Sequence, residues 1–158
     1  MPIAAIRIDE AMWDAADRAR RYEWRQALTD FIDEHRAVAE LLHLRIAVDR
    51  GDTCIEAASP GGDPFARIVI PRGALEAHFR EYLAIIRDLG AVHEGAGSSR
   101  FEALDIAKRI SHDEGAEALQ ALTRPLGLDH RSCRRLFTLL VTLHFDTTRL
   151  VVAHRRPS

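Results

Sequence analysis

Apolar and polar positions alternate over four short segments of the first half of the chain. This pattern is typical of strands with one buried face. The four segments are residues 3–8, 42–48, 53–57 and 65–70. Turn-forming residues at 50–52 and 59–64 separate the last three. We therefore predict that these three strands form an antiparallel meander.

Apolar residues recur at three- and four-residue steps elsewhere, which is typical of amphipathic helices. This spacing predicts helices over about 12–35, 73–90 and 130–144. Ser99 and Ser111 each begin an S-x-x-E pattern, which predicts helices over 100–110 and 112–123, separate or joined as a kinked pair. Asp129 is expected to cap the last helix, after a break at residues 124–127.

These elements predict a single α+β domain over residues 1–158, with a small antiparallel sheet packed against four to five helices. The glycine-rich stretch at 90–99 is expected to be a flexible loop. Residues 146–158 are an extra C-terminal segment, in which 148–153 is a candidate strand.

Composition excludes several classes of protein. The chain has 47% hydrophobic and 29% charged residues, so it is neither a disordered tail nor a fibre. Cys54 and Cys133 are too few and too far apart for a disulfide scaffold, which favours a reducing compartment. We expect a cytoplasmic protein, because no stretch resembles a signal peptide or a membrane span.

Charge is distributed unevenly along the chain. Residues 1–123 carry 15 basic and 22 acidic residues, whereas 124–158 carry seven arginines and two aspartates. A basic end fits an anionic partner. Nucleic acid is disfavoured, because the rest of the chain is acidic and aromatic residues are only 6%.

The sequence contains no established metal, nucleotide or nucleophile motif. It has no C-x-x-C, H-E-x-x-H, G-x-S-x-G or Walker pattern, and its eight histidines are spread singly. We therefore expect no metal and no cofactor.

Asp105, Arg109 and His112 form a polar stripe at i, i+4 and i+7 of a predicted helix. An ion pair followed by a histidine is the simplest explanation. Alternatively, the arginine grips an anion, the histidine exchanges a proton and the aspartate orients one of them. Asp113 and Glu114 come next, at the predicted start of the following helix.

A second polar stripe follows the last predicted helix. It is either a solvated face, an anion site or a set of bridges across an interface. The stripe consists of Arg131, Arg134, Arg135, Thr138 and Thr142. From both helices we select six candidate ligand-binding residues: Arg109, Asp113, Glu114, Arg134, Arg135 and His144.

The segment FEALDIAKRISHDEG at 101–115, followed by RRLFTL at 134–139 and LH at 143–144, resembles the signature of a bacterial family, Uncharacterised Protein Family number 0262. The likeness extends from IRIDE at 6–10 to His144. The family pattern has Asp, Arg and His where this chain has Asp105, Arg109 and His112, with an Asn/Asp-Glu-Gly run at 113–115. Asn is commoner there than the Asp113 of this chain, and the segment after Phe145 departs from the pattern. The resemblance implies no particular activity.

Two functional hypotheses remain open. The favoured one is a non-catalytic binding or regulatory domain that recognises an anionic small molecule or a partner protein. Its surface would consist of Asp105, Arg109, His112, Arg134 and Arg135.

The alternative is a small metal-independent hydrolase or transferase. His112 would be its general acid/base, Asp105 would orient His112, and Arg109 with Arg134 would clamp an oxyanion or phosphate. Whether the five side chains converge in a concave pocket discriminates between the two hypotheses. A membrane partner is not expected, and a homodimer stays open. We expect substitutions of Arg134 or His112 to affect function more than stability.

Overall fold

The computed structural model describes residues 3–33, 42–92 and 98–147. The chain forms an α+β domain, as predicted. In order, its elements are β1 (Ile3–Ile8), α1 (Glu10–Ala15), α2 (Arg18–Asp33), β2 (Leu42–Asp49), β3 (Asp52–Ala58), β4 (Pro64–Ile70), α3 (Arg72–Ala91), α4 (Ser98–Leu122), a 3-10 turn (Arg124–Leu126) and α5 (His130–His144).

The four strands form one sheet in the order β1-β2-β3-β4. The meander of β2, β3 and β4 is antiparallel, as predicted. The sheet as a whole is mixed, because β1 runs parallel to β2. Adjacent parallel strands need a long connection along the chain, and here α1 and α2 belong to the connection from β1 to β2. The register aligns Ile8, Ile46 and Ile55 across the sheet, and all three are buried.

Helix α5 is the central helix of the core. It contacts both α2 and α4, and its apolar residues are almost completely buried, including Leu136, Phe137 and Leu140. Its start is as predicted, since the Asp129 carboxylate accepts a hydrogen bond from the Ser132 amide at 2.7 Å. The preceding break is also confirmed. It ends at Gly127, whose φ of 58° is a left-handed conformation that suits glycine.

The prediction of two helices around Ser111 is wrong, because α4 is continuous from Ser98 to Leu122. Ser111 lies within it and is 1% exposed, so it caps nothing. No proline or glycine occurs between residues 98 and 114, and the backbone has no cause to break there. As a result, Asp105, Arg109 and His112 lie on one helix.

The predicted helix over 12–35 is instead divided into α1 and α2. Asp17 lies between them and accepts a hydrogen bond from the Arg20 amide at 2.8 Å, which caps the start of α2. Residues 34–35 of that prediction, residues 93–97 of the predicted loop and the candidate strand at 148–153 lie outside the described residues.

Helix α3 buries a single stripe. In α3 the buried positions recur at steps of four and three, at Leu75, Phe79, Tyr82, Ile86 and Leu89. Within the described ranges, no helix has both the length and the apolar character required to cross a membrane.

Candidate functional site

A cavity of about 360 Å³ opens between α2, α3, α4 and α5. Cavities of this size accommodate small organic molecules. Its apolar lining comes from α2, α3 and α5, at Ala27, Leu83, Ile86 and Val141. Its ionisable lining residues are Glu23, Asp30, Tyr82, Asp105, Lys108, Arg109, His112, Arg134 and Arg135.

The structure brings five of the predicted site residues to this cavity. They are Asp105, Arg109 and His112 from α4, and Arg134 and Arg135 from α5. Both polar stripes therefore face the same space, with the two helices side by side. Of the other residues in the α5 stripe, Thr138 and Thr142 also line the cavity.

His112 is hydrogen bonded on both ring nitrogens. Its Nε2 lies 2.8 Å from the backbone oxygen of Arg134. A carbonyl oxygen only accepts, so Nε2 carries the hydrogen. The same nitrogen lies 3.0 Å from the Thr138 hydroxyl. Nδ1 lies 3.4 Å from the Arg134 guanidinium, which only donates, so Nδ1 presents its lone pair.

The ring of His112 is also packed in an aromatic cluster. Its centroid lies 5.3 Å from that of Tyr82 and 5.9 Å from that of Phe137. Burial lowers the pKa of His112, and the positive charge of Arg134 acts in the same direction, although the backbone hydrogen bond opposes both. With its pKa below the ordinary value of 6.5, His112 is mainly neutral at neutral pH, and its contacts favour the tautomer with the hydrogen on Nε2.

Arg134 is held from its other side by Asp113. One guanidinium nitrogen lies 3.2 Å from Asp113 Oδ1, and His130 Nε2 lies 3.2 Å from the same oxygen. The hydrogen bond from His130 and the charge of Arg134 lower the pKa of Asp113. Asp113 does not line the cavity itself but fixes an arginine that does.

Arg109 and Asp105 form the ion pair expected from their i, i+4 spacing, at 2.6 Å. The Arg109 side chain is 70% exposed, so the pair contributes little to stability. The guanidinium has further donors at the rim of the cavity, because one carboxylate cannot occupy all five.

The pattern of an uncharacterised protein family, UPF0262, matches residues 1–146. The chain belongs to this family. A UPF0262 protein of Sphingopyxis alaskensis is 29% identical over an alignment of 154 residues, which covers 90% of this chain and 92% of that protein. A second, from Novosphingobium aromaticivorans, is 30% identical over 158 residues, covering 90% and 95%. No solved structure matches the chain.

The UPF0262 match includes every cavity-lining residue except Thr147. The three residues of the Asp113-Glu114-Gly115 run have different surroundings in the structure. Asp113 binds Arg134, the Glu114 side chain is exposed to solvent, and Gly115 is buried against α5. Glu114 does not line the cavity.

His144 lies away from the cavity. Its Nε2 is 2.7 Å from the Thr53 hydroxyl on β3, and its ring lies 5.1 Å from that of Phe79. Burial lowers the pKa of His144. In the part of the chain that the structure describes, no three His, Cys, Asp or Glu residues are grouped to hold a metal ion.

Sequence reasoning did not select five polar residues of the cavity as candidates: Glu23, Asp30, Tyr82, Lys108 and Thr147. Tyr82 is 5% exposed, and burial raises the pKa of its phenol to about 12, so the hydroxyl stays protonated. Glu23 had a detectable signal. With Ala27 and Asp30 it repeats the i, i+4, i+7 spacing already noted in α4. The spacing of polar residues gave no signal for Tyr82, because Tyr82 fits the apolar period of α3.

Proposed function

We propose that this protein binds a small organic anion, a carboxylate or a phosphate monoester, in the cavity between α2, α3, α4 and α5. The observation that carries the proposal is the convergence of four cationic side chains on one cavity. Lys108 and Arg109 come from α4, and Arg134 and Arg135 come from α5. Guanidinium groups bind carboxylates and phosphates through paired hydrogen bonds, which gives both charge and geometry.

The rest of the lining supports an organic ligand over an inorganic ion. Leu83, Ile86 and Val141 provide apolar surface beside the cations. A ligand with a short apolar body would cover these side chains while its anionic group contacts the arginines. A recessed cavity of this size also suits a small molecule better than a partner protein, which would need a broader surface.

The geometry of His112 favours binding over acid/base catalysis. A general base needs a free lone pair within hydrogen-bond reach of its substrate. The lone pair of Nδ1 faces the Arg134 guanidinium, and the Nε2 hydrogen points to a backbone oxygen. His112 therefore serves to position Arg134.

Titration of the protein with caproate and hexyl phosphate, followed by calorimetry, tests this proposal. Arg109→Gln and Arg135→Gln should each weaken binding by about tenfold or more, because each removes a charged hydrogen-bond donor. Arg87→Gln is the matched control, since Arg87 is an exposed arginine of α3 outside the cavity. Absence of binding at millimolar ligand, or equal affinities in all three variants, would refute the proposal.

A further inference from the structure

We infer that the Tyr82 hydroxyl donates a hydrogen bond to the anionic group of the ligand, so that Tyr82 and Arg134 form the anion subsite of the cavity. This inference rests on the proposed function, because it locates the anion within the same site. Three observations carry it: the burial of Tyr82, its unpartnered hydroxyl, and its connection to Arg134 through His112.

Tyr82 is a buried residue with an unused hydrogen-bond donor. It lines the cavity and is 5% exposed. Its ring packs against those of His112 and Phe137, at centroid distances of 5.3 and 5.6 Å. Among the described residues, none forms a hydrogen bond with its hydroxyl. Buried tyrosine hydroxyls usually have such a partner, so the absence of one points to a partner from outside the protein.

The hydroxyl can be reached from the cavity. In the described part of the chain, the fully enclosed side-chain atoms without a partner are Arg20 Nε, Ser111 Oγ and Thr147 Oγ1, and the Tyr82 oxygen is not one of them. Because Tyr82 lines the cavity and is otherwise buried, its hydroxyl meets the space inside it. A phenylalanine would fill the same position in the apolar stripe of α3. The hydroxyl therefore serves no purpose in packing, which favours a role in binding.

Tyr82 is connected to Arg134 through His112. The Tyr82 ring packs on the His112 ring, and His112 Nδ1 lies 3.4 Å from the Arg134 guanidinium. The charge of Arg134 acts on the phenol, but burial outweighs it and raises the pKa of Tyr82 to about 12. The phenol is therefore a neutral donor at neutral pH. An anion bound by Arg134 would accept a charged hydrogen bond from the guanidinium and a second one from Tyr82.

Arg109 is a weaker candidate for the anion subsite. Its side chain is 70% exposed, and its charge is already paired with Asp105 at 2.6 Å. Arg109 thus adds attraction at the rim of the cavity, whereas Tyr82 provides a donor inside it.

This position of the anion also fixes the direction of the ligand along α3. Tyr82 and Ile86 are four residues apart in the buried stripe of α3, and both line the cavity. Four residues of helix rise about 6 Å, so an apolar chain that begins at the anion can extend from Tyr82 to Ile86. The expected ligand class is therefore an unbranched apolar chain with a terminal anionic group.

Calorimetric titration compares the unaltered protein with Tyr82→Phe, which removes only the hydroxyl. The probes are valerate, caproate and hexyl phosphate. We expect Tyr82→Phe to weaken the binding of each probe by about tenfold, because it removes a hydrogen bond to a charged group. The losses for valerate and caproate should agree within about twofold, since both present the same carboxylate to Tyr82.

Stability separates this binding role from a structural one. The midpoint of chemical denaturation should not fall in Tyr82→Phe, because no hydrogen bond within the protein is lost. Tyr22→Phe is the matched control, since Tyr22 is 55% exposed and lies outside the cavity. It should bind all three probes as the unaltered protein does.

A second measurement does not require Tyr82→Phe to fold. The chain has two tyrosines, so Tyr82 is the one that remains in Tyr22→Phe. Saturation of Tyr22→Phe with caproate should produce a tyrosine band in the near-ultraviolet difference spectrum, because the phenol becomes a hydrogen-bond donor.

The outcomes distinguish this inference from the proposed function. If the probes bind Tyr82→Phe as tightly as the unaltered protein, the anion subsite is refuted and the proposed function stands. Unequal losses for valerate and caproate, or the absence of a tyrosine band, would also refute the contact with the anion. A lowered denaturation midpoint without a tyrosine band would show that the hydroxyl serves the fold instead. If no probe binds the unaltered protein, the proposed function fails and this inference fails with it.

Discussion

Gly115 of α4 packs so closely against Phe137 of α5 that there is no room for a side chain at this position. A Cβ added to Gly115 would lie 2.5 Å from Cε2 of the Phe137 ring and 2.6 Å from its Cζ. The two helices therefore approach each other closely just one turn after His112. At that neighbouring turn, His112 Nε2 lies 2.8 Å from the Arg134 backbone oxygen.

We predict that Gly115→Ala destabilises the protein by about 1 to 2 kcal/mol in chemical denaturation. Overpacking costs about 1–3 kcal/mol, and the better helix propensity of alanine recovers up to about 1. Gly73→Ala is the control, because Gly73 lies in α3 with nothing within 4 Å of an added Cβ. It should be neutral or slightly stabilising. A Gly115→Ala variant as stable as Gly73→Ala would contradict the close approach.

Stability should fall as the pH drops below 6.5. The pKa of folded His112 lies below its ordinary value of 6.5, so the unfolded chain binds more protons in that range. The contribution of neutral His112 is thus fully present above pH 6.5 and is lost progressively down to the folded-state pKa. The pKa of His144 is also lowered, so His144 likewise reduces stability as the pH falls. Denaturation at several pH values gives the free energy of unfolding as a function of pH. This free energy should depend less steeply on pH in His112→Gln than in the unaltered protein, and an equally steep dependence would contradict the prediction.

Leu140→Ala should cost about 2–5 kcal/mol, because Leu140 is 0% exposed and its truncation leaves a cavity. We expect His112→Ala to cost about 1–3 kcal/mol, since its ring packs against Tyr82 and Phe137 and binds the Arg134 backbone. The effect on stability is therefore larger than the sequence suggested for His112. Denaturation of both variants under one set of conditions measures the difference, and a His112→Ala cost below about 0.5 kcal/mol would show that the packing is unimportant.

Asp113→Asn should strengthen anion binding by a few-fold while changing stability by less than about 1 kcal/mol. The Asp113 side chain is 45% exposed, and exposed ion pairs contribute little to folding. Its charge, however, partly neutralises Arg134 next to the cavity. Calorimetric titration with caproate measures the change. Weaker binding in Asp113→Asn would mean that Asp113 matters mainly by holding Arg134 in position.

The sequence predicted elements well where the controlling interactions are local. The alternating strands, the Asp129 cap and the break at Gly127 all depend on residues a few positions apart. The capping pattern at Ser111 gave a wrong prediction because it, too, considers only residues a few positions apart. The pattern describes what a helix start can contain, but it does not record that the preceding turns already continue the helix.

The candidate site was predictable only within each helix. Spacing placed Asp105, Arg109 and His112 on one face, and the structure agrees. Spacing along one element carries no information about which other elements approach that face. The spacing of Glu23 and Asp30 indicates a polar face on α2, but only the tertiary structure shows that this face and Tyr82 of α3 line the same cavity.

The end of α5 is bound to α2 through the backbone. Arg20 donates from one guanidinium nitrogen to the carbonyl oxygens of Thr142 and Leu143, both at 3.2 Å, and Trp24 donates to Thr142. Helix ends leave such carbonyls without intrahelical partners, so α2 completes the hydrogen bonding of α5. The two helices should therefore open together in hydrogen exchange as one cooperative unit, although the contacting residues Trp24 and Thr142 are 118 positions apart in sequence. A ligand that bridges their walls would slow exchange in both helices at once.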